Sequence, residues 1–67
     1  MRFSPEKLKI LMARNQLTME ALGRRADVPA ITVSQALRGV RKPTLRTIGK
    51  LAHGLGVDVV ELIEEGV

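Results

Sequence analysis

The side chains best suited to recognising a ligand are concentrated between positions 30 and 44. Gln35 carries an amide, which can donate and accept hydrogen bonds at the edge of an adenine base. Thr32 and Ser34 place hydroxyl groups beside it, and a hydroxyl can bond to a base or to a phosphate. Three cations suited to phosphate oxygens follow: Arg38, Arg41 and Lys42. The alternative interpretation of these cations is an ordinary solvated basic loop.

The residues needed for catalysis or metal binding are missing from the sequence. It contains no Cys, and its one His, His53, has no further ligand residue at metal-binding spacing. No nucleophile–base pair occurs, and no paired carboxylates occur outside the acidic end. The only aromatic residue, Phe3, offers no stacking platform for single-stranded nucleic acid or RNA. We therefore expect a protein that is not an enzyme and takes no metal, cofactor or small-molecule ligand.

Charge is distributed unevenly along the chain, whose net charge is +4. All eleven Lys and Arg and only three acids lie in residues 1–53, whereas residues 54–67 hold four acids and no Lys or Arg. This division favours a polyanionic partner for the basic body, although a solubilising surface is the simpler alternative. The sequence has neither a signal-peptide pattern nor the ~20 apolar residues that span a bilayer. A cytoplasmic protein with no membrane partner is predicted.

Five short helices and no strand are predicted, in a single domain over residues 1–67. The starts of these helices are marked by residues typical of helix N-termini: Ser4 with Pro5, Thr18, Pro29, Thr44 and Asp58. Gly39 and Gly56 are expected to end the third and fourth helices. The last helix is predicted over about 58–65. Apolar residues at helical spacing predict the core: Leu8, Leu11, Met12, Leu22, Ala26, Val28, Val33, Ala36, Leu37, Leu45, Ile48, Leu51, Ala52 and Leu55.

Helices two and three are joined by a tight turn. Asp27 lies in this turn, where a left-handed conformation is expected and Asp tolerates it. Gly23 lies in the middle of helix two, where Gly costs about 1 kcal/mol relative to Ala. A close approach by the next helix would explain it. An ordinary helical hairpin is the alternative, but the tight spacing and the adjacent basic loop favour a DNA-binding hairpin.

Several motifs in order resemble the Cro/repressor-type helix-turn-helix family. These are Leu17-Thr18-Met19-Glu20-Ala21-Leu22-Gly23, Leu37-Arg38-Gly39, Arg41-Lys42-Pro43-Thr44-Leu45 and Leu51-Ala52-His53-Gly54-Leu55-Gly56-Val57, with Val28 and Val33 between the first two. The match covers about residues 6–64. It implies an all-α, compact five-helix, lambda-repressor-like DNA-binding domain, with the helix-turn-helix at about 18–38. The sequence departs from the family at Met19, where Gln is usual, and at the apolar Pro29-Ala30-Ile31.

The resemblance also implies roles for individual residues. The predicted base contacts are Ala30, Ile31, Ser34 and Gln35, of which the two apolar residues can pack on a thymine methyl group. The predicted phosphate contacts are Thr18, Thr32, Arg38, Arg41, Lys42 and Thr44, the capping residues acting at helix N-termini. The last helix is more apolar than docking within the chain requires. It is therefore predicted to hold a dimer interface: Val59, Val60, Leu62 and Ile63.

Sequence-specific recognition of double-stranded DNA by a transcriptional regulator is the predicted function, with a repressor as the family's typical member. The third helix would enter the major groove, and a homodimer would read two half-sites of a palindromic operator about 34 Å apart. One alternative is a protein-interaction module, such as an antitoxin with weak or secondary DNA binding. A second is the helical domain of a cyanase-like enzyme, but the catalytic portion that it needs is missing from these residues.

Overall fold

The computed structural model describes residues 2–64 of the chain. It contains four α-helices: α1 (Pro5–Arg14), α2 (Met19–Ala26), α3 (Ala30–Arg38) and α4 (Leu45–Leu55). A short 3₁₀ turn follows at Val59–Leu62. Two strands of two residues each, β1 (Arg2–Phe3) and β2 (Ile63–Glu64), pair antiparallel, with Phe3 opposite Ile63. The all-α helix-turn-helix class is confirmed, with four α-helices instead of five.

The predicted capping residues are in place. The backbone N–H groups of Lys7, Ala21 and Thr47 donate to the side-chain oxygens of Ser4, Thr18 and Thr44, at 3.2, 3.0 and 3.2 Å. Each of these bonds satisfies a donor that the first turn of a helix leaves without a partner. Gly39 and Gly56 follow α3 and α4 in the left-handed conformation, as predicted. Side-chain caps therefore mark the starts of α1, α2 and α4, and left-handed glycines mark the ends of α3 and α4.

The prediction of a fifth α-helix over about 58–65 is wrong, as is the prediction of no strand. Asp58 caps the segment as expected, but only Val59–Leu62 are helical, in a 3₁₀ turn, and β2 then continues in extended conformation. So short a segment, with β-branched Val59 and Val60, has little α-helical stability of its own. Pairing with β1 satisfies its backbone instead. Glu65, the predicted end of the helix, lies outside the described residues.

The core forms where the four helices and the 3₁₀ turn meet. Its completely buried apolar residues are Leu8, Leu22, Val33, Leu51 and Leu62. Val28 and Leu37 are partly buried and pack against this core. Leu45 was predicted to belong to it, but this prediction is wrong: its side chain, in the first turn of α4, is 75% exposed and lies at the edge of the core instead of inside it. Within residues 2–64, no helix is both long and apolar enough to cross a membrane.

Close contact between α2 and α4 fixes the helix-turn-helix on the rest of the domain. An added Cβ at Gly54 in α4 would lie 2.9 Å from the Cβ of Ala26 in α2. Real Cβ atoms do not approach so closely, so only glycine at position 54 permits this separation of the two helices. The position of α2 relative to the core therefore depends on one missing methyl group.

Candidate nucleic-acid interface

The turn between α2 and α3 has the tight geometry that the sequence predicts. Asp27 adopts the left-handed conformation, with φ 59°, and the backbone N–H of Val28 donates to the carbonyl of Gly23 at 2.9 Å. An added Cβ at Gly23 would lie 2.8 Å from the carbonyl oxygen of Val28. The close approach expected at Gly23 is present, but it comes from the turn before α3 and not from the helix itself. These contacts fix the angle at which α3 leaves α2.

Lys50 of α4 supports this turn from outside the helix-turn-helix. Its ammonium donates to the carbonyl oxygen of Asp27 at 3.3 Å and lies 3.9 Å from the Asp27 carboxylate. A cation at this position also suits the partial negative charge at the end of α2. This contact could not be predicted from the sequence, because the two residues are separated by 23 positions and share no motif.

The exposed face of α3 presents the predicted recognition residues together. Ile31, Ser34, Gln35 and Arg38 recur at spacings of three, four and seven residues, which place them along one face of the helix. Val33 and Ala36 are buried on the opposite face. Ile31 is 59% exposed, Arg38 is exposed, and Ala30, Thr32, Ser34 and Gln35 are partly exposed. Of the predicted base contacts, Ile31, Ser34 and Gln35 therefore share a face that no described element covers, whereas Ala30 lies to one side of it.

A cleft joins this face to the basic loop. Its cavity measures about 240 Å³, and its polar and charged lining residues are Thr32, Gln35, Arg41, Lys42, Thr44 and Thr47. The recognition helix and the start of α4 thus bring an amide, hydroxyls and two cations to one place. Such a combination is suited to the edge of a base and the phosphate beside it.

The hydroxyl of Thr44 is already used within the protein. Its oxygen accepts from the N–H of Thr47 at 3.2 Å, and its hydroxyl group donates to the Thr47 oxygen at 3.1 Å. Thr47 lines the cleft together with Thr44, so it is a further candidate for a phosphate contact that the sequence prediction did not include.

The cations beside α3 carry uncompensated charge. Within residues 2–64 the ion pairs are Arg2 with Glu64 and Lys50 with Asp27. Arg38, Arg41 and Lys42 are exposed and belong to neither pair. Their positive charge is therefore available to an anionic ligand next to the recognition face.

The four predicted dimer residues differ in their exposure to solvent. Val60 is 65% exposed, Val59 is exposed and Ile63 is half-buried. Leu62 is completely buried in the core of its own chain, so it has no surface to offer to a second copy. The prediction of an interface at this segment therefore depends on Val59, Val60 and Ile63.

His53 is an exposed residue of α4, in agreement with its interpretation as a plain surface residue. No group of three or more potential metal ligands occurs among residues 2–64.

Comparisons with known proteins give the same assignment. The model of the helix-turn-helix family matches residues 8–62. The solved structure of the restriction-modification controller protein C.AhdI from Aeromonas hydrophila is similar to this chain, with a TM-score of 0.84 and 29% sequence identity. The similarity covers 88% of this chain and 89% of the controller protein. No curated protein sequence matches the chain.

Proposed function

The chain belongs to the Cro/C1-type helix-turn-helix family of DNA-binding regulators, and we propose that it controls transcription by reading a specific duplex operator through α3. As a member of this family it is a regulator of transcription and not an enzyme. The proposal concerns which residues read the DNA, what form the operator takes and which genes are controlled.

One observation carries the proposal: the uncovered face of α3 lies next to uncompensated cations. Ile31, Ser34 and Gln35 present a methyl-bearing side chain, a hydroxyl and an amide along one face of the helix. Arg41 and Lys42 are available to phosphates beside that face. Base contacts would select the sequence, while phosphate contacts would supply most of the affinity and fix the orientation of the protein.

A homodimer on a palindromic operator is part of the proposal. Val59, Val60 and Ile63 leave apolar surface exposed on a segment that holds no Lys or Arg. A two-fold axis at this surface would present two copies of α3 to successive major grooves, about 34 Å apart. The two half-sites of the operator would then be inverted copies of one sequence.

The similarity to C.AhdI suggests which genes are regulated. That protein is a restriction-modification controller, and the similarity covers nearly nine-tenths of both chains. We propose that this chain likewise controls genes of a restriction-modification system.

Selection of bound duplexes from a random pool tests the proposal directly. The expected product is an inverted repeat with half-sites about 34 Å apart, matching sequence upstream of restriction-modification genes. Selection without any preferred sequence would refute base reading by α3. A single unrepeated site would refute the palindromic operator.

The protein-interaction alternative has one observation in its favour, namely that apolar Ile31 is exposed on the same face of α3 as Ser34 and Gln35. An antitoxin would use this face, or another one, to bind a toxin protein. Failure to bind any duplex at low salt would favour this alternative. Tight binding to a selected duplex, lost when Ile31 or Gln35 is replaced, would exclude it for this face.

A further inference from the structure

Within residues 2–64 three glycines lie inside helices, and contacts within this range explain two of them. An added Cβ at Gly23 or Gly54 would meet another element at less than 3 Å, as described above. An added Cβ at Gly49, in the middle of α4, would have nothing within 4 Å. Glycine is a poor helix former, so a glycine on open helix surface weakens α4 without any benefit in the described structure. A close approach from outside the chain would explain it.

Leu45 lies one helical turn before Gly49, on the same side of α4. It is the most exposed of the large apolar side chains in the described chain, at 75%. The Leu45 side chain projects from α4, and the absence of a side chain at Gly49 leaves a depression in the helix surface one turn later. Two helices can approach closely where one of them presents such a depression.

An apolar groove opens beside Leu45. It measures about 290 Å³, and its apolar lining residues are Phe3, Pro43, Leu45, Ile48 and Ile63. The β1–β2 pair forms one wall, and that wall is anchored where Lys7 Nζ donates to the carbonyl oxygen of Ile63 at 2.8 Å. The opposite wall of the groove is formed by the start of α4 and the loop before it. Ordered secondary structure therefore borders the groove on both sides.

The charges around the groove are complementary to another part of the same chain. Lys42, which lines the groove, and Arg46, next to Leu45, are exposed and form no ion pair within residues 2–64. Glu61, on the 3₁₀ turn that carries Val59 and Val60, is likewise exposed and unpaired in that range. In a two-fold contact, any pairing of one part of the first copy with a different part of the second copy occurs twice, once in each direction. The acidic turn of one copy would then lie beside the basic start of α4 in the other.

We propose that a second copy of this chain docks on this surface. Leu45 of each copy enters the groove of the other, and the two α4 helices cross at Gly49. The inference rests on the proposed dimer, and it moves the centre of the contact from the C-terminal segment to α4. Because Lys42 and Pro43 line the groove, association also holds the loop that contains the proposed phosphate contacts.

Sedimentation of matched variants of the full chain tests the proposal. Leu45→Gln and Gly49→Gln are expected to weaken self-association by about tenfold or more. Both side chains are compatible with an exposed helix, so thermal unfolding of the dilute monomer should show no loss of fold. Ile10→Gln is the control, since Ile10 is an exposed aliphatic residue of α1, away from the groove.

The possible results separate this inference from the proposed function. If Leu45→Gln and Gly49→Gln associate as tightly as the native chain while Val60→Gln does not, the dimer stands and the groove contact is overturned. If the native chain stays monomeric at high concentration and on selected duplex, the groove contact and the proposed dimer both fail. The duplex selection would still test base reading by α3 separately, because it does not require association.

Discussion

The ammonium of Lys50 lies 3.3 Å from the carbonyl oxygen of Asp27, the left-handed residue that separates α2 from α3. The fourth helix therefore contacts the helix-turn-helix at its turn, where the angle between α2 and α3 is set. Lys50 touches no predicted DNA-contacting residue. We therefore expect it to act as a positioning residue, which constrains the direction of the helix that carries them.

Replacing Lys50 by Met tests this role. The change keeps the aliphatic stem and removes a hydrogen bond and an exposed ion pair, so the free energy of unfolding should fall by about 0.5–1.5 kcal/mol in urea titration. Affinity for a selected operator should fall more than affinity for random duplex, because only base contacts need an accurate α3. Lys9→Met in α1 is the control, and equal losses for both duplexes would contradict a positioning role.

Alanine at the two glycines of α4 should have effects of opposite sign. Gly54→Ala forces its methyl group against Ala26, so it should destabilise the fold by about 1–3 kcal/mol. Gly49→Ala meets open space and should stabilise the monomer by about 0.5–1 kcal/mol through helix propensity. Urea unfolding of dilute protein measures both. Destabilisation by Gly49→Ala would reveal a contact within the chain.

Neutralising the basic loop should change the salt dependence of binding. Each phosphate contact contributes about −0.9 to the slope of log affinity against log salt concentration, so Arg41→Ala or Lys42→Ala should flatten the slope by about 1. The preferred sequence should stay the same. Lys9→Ala supplies the background value. Slopes unchanged in both loop variants would place the loop away from DNA.

The two threonines at the start of α4 should separate capping from phosphate binding. Thr44→Val removes the cap and should lower stability by about 1 kcal/mol. Thr47→Val keeps its N–H bonded to Thr44 and should leave stability nearly unchanged, while affinity for operator and random duplex falls alike. Thermal unfolding and duplex titration of each variant make the comparison. Unchanged duplex affinity in Thr47→Val would remove Thr47 from the set of phosphate contacts.

Gln35 and Ile31 should affect specificity in different ways. Gln35→Ala should cost about 1–3 kcal/mol on the selected operator and little on random duplex, with relaxed preference at one position in each half-site. Ile31→Ala should weaken selection for a thymine methyl group, so replacing that thymine by uracil should reproduce its effect. Both are measured at matched salt. Equal loss on both duplexes after Gln35→Ala would mean that this residue does not read bases.

Features set by neighbouring residues were predictable from the sequence, whereas features set by distant contacts were not. The caps at Ser4, Thr18 and Thr44 form within three residues of sequence, and each was predicted. The 3₁₀ turn ending at Leu62 depends on residues at the other end of the chain, and a fifth helix was predicted in its place. Helical periodicity assigned Leu45 to the core, but spacing alone does not show whether another element covers a given position.

The candidate site follows the same division. The face with Ile31 and Gln35 follows from helical spacing and was predicted. The place of Thr47 in the cleft, the Lys50 contact and the groove beside Leu45 depend on elements that are far apart in sequence. None of these is visible as a motif.

The backbone N–H of Ser4 donates to the carbonyl of Leu62 at 2.8 Å, and strands of only two residues continue this pairing. Forming it closes a loop of nearly the whole chain, at a large entropic cost that few hydrogen bonds offset. Helical hydrogen bonds within α2 and α4 close only short loops. The β1–β2 pair is therefore expected to form last during folding and to open first in the native state. Hydrogen exchange is therefore expected to be slow in the helical centre and faster at this junction, which can open while the helix-turn-helix stays folded.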